Sequence, residues 1–142
     1  MGLVSAAVRV ALICPAPPGS RLGNRVTALR WQRMLRGLGH RAFIATGPTS
    51  RACDALIALH ARRSAEAVRA SSAKHPERPL VVALTGTDLY RDIHRHAGAR
   101  QSLRLAGWLI VLHDGAVEDL PSPLRRKARV VPQSAPRPNA RR

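Results

Sequence analysis

Four stretches of the chain gather residue types that can hold an anion or move a proton. The first is ICPAPPGSRLGNRVTALRW, residues 13–31, where Arg21, Gly23, Asn24 and Arg25 crowd the mouth of a helix. A helix N-terminus offers free backbone N–H groups to anions. Gly23 lets a ligand approach the backbone closely, and Arg21 and Arg25 can grip phosphate oxygens with forked donors. The same residues also read as a plain helix start with Asn24 as its N-cap. The spacing matches neither the GxGxxG dinucleotide fingerprint nor a Walker loop. The second stretch is His60-Ala61-Arg62-Arg63, an imidazole followed by two guanidinium groups. It reads either as a base beside an anion grip or as a structural histidine beside solvated arginines. The third is Thr85-Gly86-Thr87-Asp88, two hydroxyls and a carboxylate around a glycine turn. Here Thr87 or Asp88 also suits a helix N-cap. His60 and Asp88 are the two candidates for catalytic proton transfer. The fourth place is the segment after Leu112, where His113 and Asp114 stand alone. No metal or covalent-catalysis signature accompanies them: His94 and His96 at i, i+2 diverge on a helix, and there is no GxSxG elbow.

The elements that must position these residues alternate. Apolar runs at Val8–Cys14, Arg41–Thr46, Ala55–Leu59, Pro79–Leu84, Trp108–Leu112 and Ala128–Val131 read as strands. Helices are expected at Asn24–Leu38, at Ser64 to about His75, at Leu89 to about Ala106 with a break near Gly98, and briefly at Asp114–Leu120. In the first helix Val26, Leu29, Leu35 and Leu38 share the expected core face, with Trp31 and Met34 at its edge, and Gly39 closes it. Continuous rather than alternating apolar strands mark a parallel sheet covered on both faces. Right-handed crossovers then make a Rossmann-like, doubly wound α/β domain. In such a fold ligands bind at the carboxyl ends of the strands, which is where all four stretches lie. Residues 1–7 form a short leader, 8–132 the domain, and 133–142 a basic, proline-rich tail.

The chain has 142 residues and a formal net charge of +16. Of 24 basic residues only Lys74 and Lys127 are lysine, which leaves 22 arginines scattered along the sequence. Dispersed arginines beside abundant Ala and Pro suit a high-GC genome as well as a basic ligand surface. Neither a helix-turn-helix nor an aromatic ribonucleoprotein pattern is present, so a nucleic-acid partner is not expected. The two cysteines, Cys14 and Cys53, form no CxxC and suit a reducing cytoplasm. No apolar run approaches the length of a membrane span, and the N-terminus lacks the basic region of a signal peptide.

Several stretches together resemble a known family. The Gly-Asn helix start with Ala28, the Leu38-Gly39-His40 turn, the runs Asp54–Ala65 and Pro79–Asp92, and the Val130–Ala135 segment resemble a GT-B glycosyltransferase. More narrowly, they resemble the selenosugar synthases of selenoneine biosynthesis. The resemblance runs from Val8 to Ala135, and its most specific parts are LHARRSA and LTGTDLYRD. It implies two Rossmann-like domains facing a cleft, of which this chain is the N-terminal, acceptor-side one. It implies transfer of a sugar from a UDP-sugar to selenophosphate, with no metal or other cofactor. The donor-binding C-terminal domain is then expected as a separate or missing partner, so the chain alone should be a weak catalyst. Arg21, Gly23, Asn24, Arg25, Arg62, Arg63, Thr85, Gly86, Thr87 and Asp88 would line the substrate and phosphate site. Thr85 stands where many relatives carry the histidine of a His-Gly-Thr motif, so a catalytic histidine is not implied there. The alternatives are a GT-B N-terminal domain with another acceptor, and a non-catalytic basic module for anions or nucleic acid.

Overall fold

The computed structural model describes residues 6–19 and 23–133; Arg21 lies outside the described residues. Six strands form one sheet: β1 (Arg9–Ile13), β2 (Arg41–Ala45), β3 (Ala55–Leu59), β4 (Leu80–Ala83), β5 (Trp108–Val111) and β6 (Ala128–Val130). All pairings are parallel and the spatial order is β2-β1-β3-β4-β5-β6. The architecture is a Rossmann-like, doubly wound α/β domain, and the direction of winding reverses between β1 and β3. A crevice opens at such a reversal, outside the carboxyl ends of the two strands.

Four α-helices are present among the described residues: α1 (Gly23–Gly37), α2 (Ala65–Lys74), α3 (Ile93–Arg95) and α4 (Ala97–Leu105). The helix expected from Leu89 onward is in fact three pieces. A π turn at Asp88–Asp92 leads into α3, and His96 then leaves the helix in an extended conformation. The break thus falls before Gly98, which faces Ala65 of α2. Short 3-10 turns occupy Asp114–Val117 and Ser122–Lys127. The second of these had no periodic signal in the sequence. It is anchored by Lys127, whose Nζ donates to the carbonyls of Leu103, Arg104 and Ala106 at 3.1, 3.0 and 2.8 Å. A lysine there satisfies carbonyls that the C-terminus of α4 leaves open.

The two faces of the sheet are not equally covered. α2 and α4 close one face over Leu56, Leu80, Val82, Leu109 and Val111. α1 packs on the other, and its orientation differs from the expected one. Thr27 and Ala28 are its buried residues, and Trp31 and Leu35 pack partway into the core. Val26, Leu29 and Leu38, expected in the core, are 48, 43 and 74% exposed. The small Ala28 lets the helix sit close to the sheet, which rotates its larger aliphatics outward. Gly39, with φ of +90°, ends the helix. His40 N–H donates to Leu35 O and Gly39 N–H to Arg36 O, a Schellman arrangement. Gln133, expected to open a free tail, is tied back to α1 by a 2.6 Å bond from its Nε2 to Thr27 Oγ1.

At the amino-terminal edge, Arg9 pairs with Asp54 at 3.0 Å. The hydrogen bond from the Arg9 guanidinium holds the Asp54 carboxyl down to about 2. No helix among the described residues is long and apolar enough to cross a membrane. Leu109 is wholly buried in the middle of β5. Leu109→Ala should lower stability by about 2–5 kcal/mol through lost burial and the cavity left behind. Urea denaturation followed by circular dichroism would measure it.

Candidate functional site

Parallel pairing places the ends of β3 and β4 side by side, with Leu59 opposite Ala83. The chain beyond each end turns sharply. His60 has φ of +76°, the one non-glycine residue in the left-handed region among those described. Gly86 has φ of +137°, a conformation that disfavours any side chain. Left-handed histidine is strained backbone, and such strain is kept only where surrounding bonds hold it.

Asp88 supplies those bonds. Its side chain is fully buried. One oxygen, Oδ2, accepts from Ala61 N–H at 2.9 Å. The other, Oδ1, accepts from Thr85, Gly86 and Leu89 N–H groups at 2.9, 2.9 and 3.0 Å. Four backbone donors therefore hold one carboxylate and lock the turn after β3 to the turn after β4. This is more than the N-cap read from the sequence, and it leaves no oxygen free for proton transfer. Asp88 is a clamp in this geometry rather than an acid or base.

His60 is 3% exposed. Its Nδ1 accepts from Arg63 N–H at 3.1 Å, so the ring proton sits on Nε2. From there it donates to Thr87 Oγ1 at 3.1 Å. Both nitrogens are thus occupied, and the imidazole holds Thr87 rather than facing a substrate as a base. Burial lowers its proton affinity. The charges of Asp88 and Asp92 oppose that shift, whereas those of Arg63 and Arg62 add to it. Thr87 itself is exposed, with its hydroxyl at the surface of the site.

The sequence reading missed Asp92 and Arg91. Asp92 lies at the end of the π turn and is 1% exposed. Its Oδ1 accepts from Arg91 Nε at 3.2 Å and lies 3.6 Å from Arg62 Nη1 and 3.9 Å from His96 Nε2. Its Oδ2 is 3.6 Å from His60 Nε2 and has no hydrogen-bond partner. Burial favours the neutral acid here, but the Arg91 hydrogen bond and the charges of Arg91, His60 and Arg62 outweigh it and hold the carboxyl below its ordinary range. The i, i+4 spacing of Asp92 and His96 was the available sequence signal.

Around this buried anchor stand three guanidinium groups. Arg62 and Arg91 each reach inward to Asp92 while about half of each side chain stays exposed, 46 and 51%. Arg63 is exposed beside them. Tyr90 and His113 share a 2.8 Å hydrogen bond between Oη and Nε2, joining the turn after β4 to the segment after β5. The histidine read as isolated is therefore part of the rim.

The opening loop is placed less completely. α1 begins at Gly23, so Asn24 lies inside its first turn and is not the N-cap. Arg25 Nε is buried without a hydrogen-bond partner. Gly23, Asn24 and Arg25 follow β1 at the same edge of the sheet as the arginine cluster, as the parallel topology requires. Of the expected residues, the structure brings His60, Arg62, Arg63, Thr85, Gly86, Thr87 and Asp88 into one constellation. That constellation is a partly neutralised set of arginines at the carboxyl edge. It can grip a small oxyanion, with Thr87 as a hydroxyl donor.

Two measurements test this geometry. Asp88→Ala strands four backbone N–H groups, two buried and two partly buried, and should cost about 3 kcal/mol or more in urea denaturation. The His60 shift gives a pH dependence. The unfolded chain takes up a proton near the ordinary 6.5, whereas the folded chain resists it. Stability is therefore full above about 6.5 and is lost progressively as the pH falls toward and through the lowered folded value. His60→Asn, which tolerates the left-handed backbone, should flatten that slope in denaturation midpoints taken from pH 7.5 to 5.5. No protein-family model matches the chain, and no curated protein shows significant similarity to it.

Proposed function

We propose that this chain is the acceptor-side domain of a GT-B glycosyltransferase, and that its carboxyl-edge arginines hold selenophosphate for transfer of a sugar from a UDP-sugar. The observation that carries the reading is the Arg62–Asp92–Arg91 cluster beside the left-handed His60, at the carboxyl ends of the adjacent parallel strands β3 and β4. The most specific segments of the family resemblance, LHARRSA and LTGTDLYRD, fall on this constellation.

The chemistry follows from charge. Selenophosphate is a small dianionic nucleophile and needs little deprotonation, which suits a site whose buried histidine has no free nitrogen. Arg62, Arg63 and Arg91 offer N–H donors to its oxygens, and Asp92 fixes two of those three side chains in position. The selenium forms the bond to the anomeric carbon while the bond from that carbon to UDP breaks and UDP departs with its charge. Water then releases phosphate from the selenium. A donor domain, from elsewhere in a longer chain or from a separate one, would bind the UDP-sugar and stabilise the leaving diphosphate.

Calorimetric titration of the folded chain with selenophosphate, and with phosphate as the stable analogue, tests the binding half. Arg62→Ala and Arg63→Ala should each weaken binding by about tenfold or more, the value of one charge-assisted contact. Arg69→Ala on α2, away from the site, should leave it unchanged. Equal affinity in all four proteins would remove the site assignment. Supplying a GT-B donor domain and a UDP-sugar, with mass-spectrometric detection of the selenosugar, tests the transfer half.

A further inference from the structure

The half-covered face of the sheet carries a second reading, independent of the anion site. In β3, β4 and β5 the side chains on the α1 face are Ile57, Leu59, Val81, Ala83, Trp108 and Ile110, matched by the register of the pairs Ile57–Val81, Leu59–Ala83, Val81–Trp108 and Ala83–Ile110. Leu59 and Ala83 are buried in a cluster with Ala28 of α1, whereas Ile57, Val81 and Ile110 are half-buried and Trp108 is 47% exposed. α1 covers β1, β2 and the carboxyl ends of β3 and β4, and leaves the rest of this half partly open. A groove of about 180 Å³ runs between Trp31 and Met34 on α1, with Leu38 just past its end, and Ile57, Ile110 and Val131 below. It continues past Trp31, Met34 and Val131 into a second hollow of about 220 Å³ beside Gly23, Thr27 and Gln133. The two together follow α1 along its 15 residues, which is about 22 Å at helical rise.

A groove of that length, apolar in its first part and edged by Thr27, Arg30 and Gln133 in its second, fits a helix laid alongside α1. Its charge selects the helix. No acidic residue lines either hollow. α1 carries no acid, and its Arg30 lines the second hollow. On the far side Arg129 stacks over the Trp108 ring at 4.4 Å, a cation along the opposite margin. Within the present sequence, residues 134–142 contain no large apolar side chain, and residues 1–5 are too few to form such a helix. A second copy would bring another +16 and a second arginine-rich α1 against the first. A bilayer would meet Met34 and Leu38 but could not reach the half-buried floor at Ile57 and Ile110. We propose that this groove is the docking site for an amphipathic helix, apolar on one face and acidic along its flanks, supplied from outside the 142 residues.

Of the two tryptophans of the chain, Trp31 lines both hollows and reports their occupancy directly. The probes are helical peptides about 18 residues long with leucine at i, i+3, i+4 and i+7. One set carries glutamate on the flanks, a second lysine, and a third has the glutamate composition scrambled. The acidic amphipathic peptide should shift tryptophan emission to the blue and bind at least about tenfold more tightly than the other two. Met34→Glu and Leu38→Glu, at 54 and 74% exposed positions, should keep the fold and abolish that binding. Equal binding of all three peptides, or none, overturns the proposal. So does a dimer in sedimentation that Met34→Glu dissociates, which would make the occupant a second copy. Binding to phosphatidylserine vesicles with no response to the acidic peptide would overturn it in favour of a membrane surface.

Discussion

One buried carboxylate organises the carboxyl edge of this domain. Asp88 takes four backbone N–H groups, one from the turn after β3 and three from the turn after β4. An ionised side chain removed from water is costly unless donors replace its hydration, and here the donors come from two separate strands' ends. The clamp therefore couples the two turns: neither can move without leaving charge or N–H groups unpaired. The left-handed backbone of His60 and the open φ of Gly86 are held by that coupling.

The next layer of the site is built on this base. His60 remains neutral because it is buried and because its Nδ1 already accepts the Arg63 N–H hydrogen bond. Asp92 stays ionised despite its burial because Arg91 donates a hydrogen bond to it and the Arg91 and Arg62 charges stand close. The result is a graded arrangement, with a neutral ring and a buried anion inside and half-exposed arginines outside. Asp92 offsets part of the arginine charge and so limits the mutual repulsion along this edge.

The fold is asymmetric across the sheet. One face is covered by α2 and α4, and the other carries α1, which packs on β1, β2 and the ends of β3 and β4 and leaves the rest partly open. Parallel sheets hold near-continuous apolar strands because both faces are ordinarily covered. An apolar half-face left beside an arginine-rich helix is thus a surface whose composition fits a partner better than water. The anion site and this groove sit on different features of the domain, one at the strand ends and the other along the flank of α1.

The strand runs, their parallel sense and the α/β class follow from the sequence alone, because long apolar runs separated by helical segments have few other ways to bury themselves. The placement of His60, Arg62 and Thr85–Asp88 at strand ends was legible for the same reason. The roles of those residues were not. Spacing could not tell that Asp88 would spend both oxygens on backbone donors, since Ala61 meets it only when β3 and β4 pair. Nor could it show Asp92 facing His60 across 32 positions of chain, or Lys127 capping the end of α4. The rotation of α1 was equally hidden: helical periodicity admits Val26, Leu29 and Leu38 as a core face, and only close approach at Ala28 excludes it. Local sequence determined which segments are strands and helices. The tertiary structure decided which polar atoms were consumed and which remained free, because that depends on neighbours brought together from far along the chain.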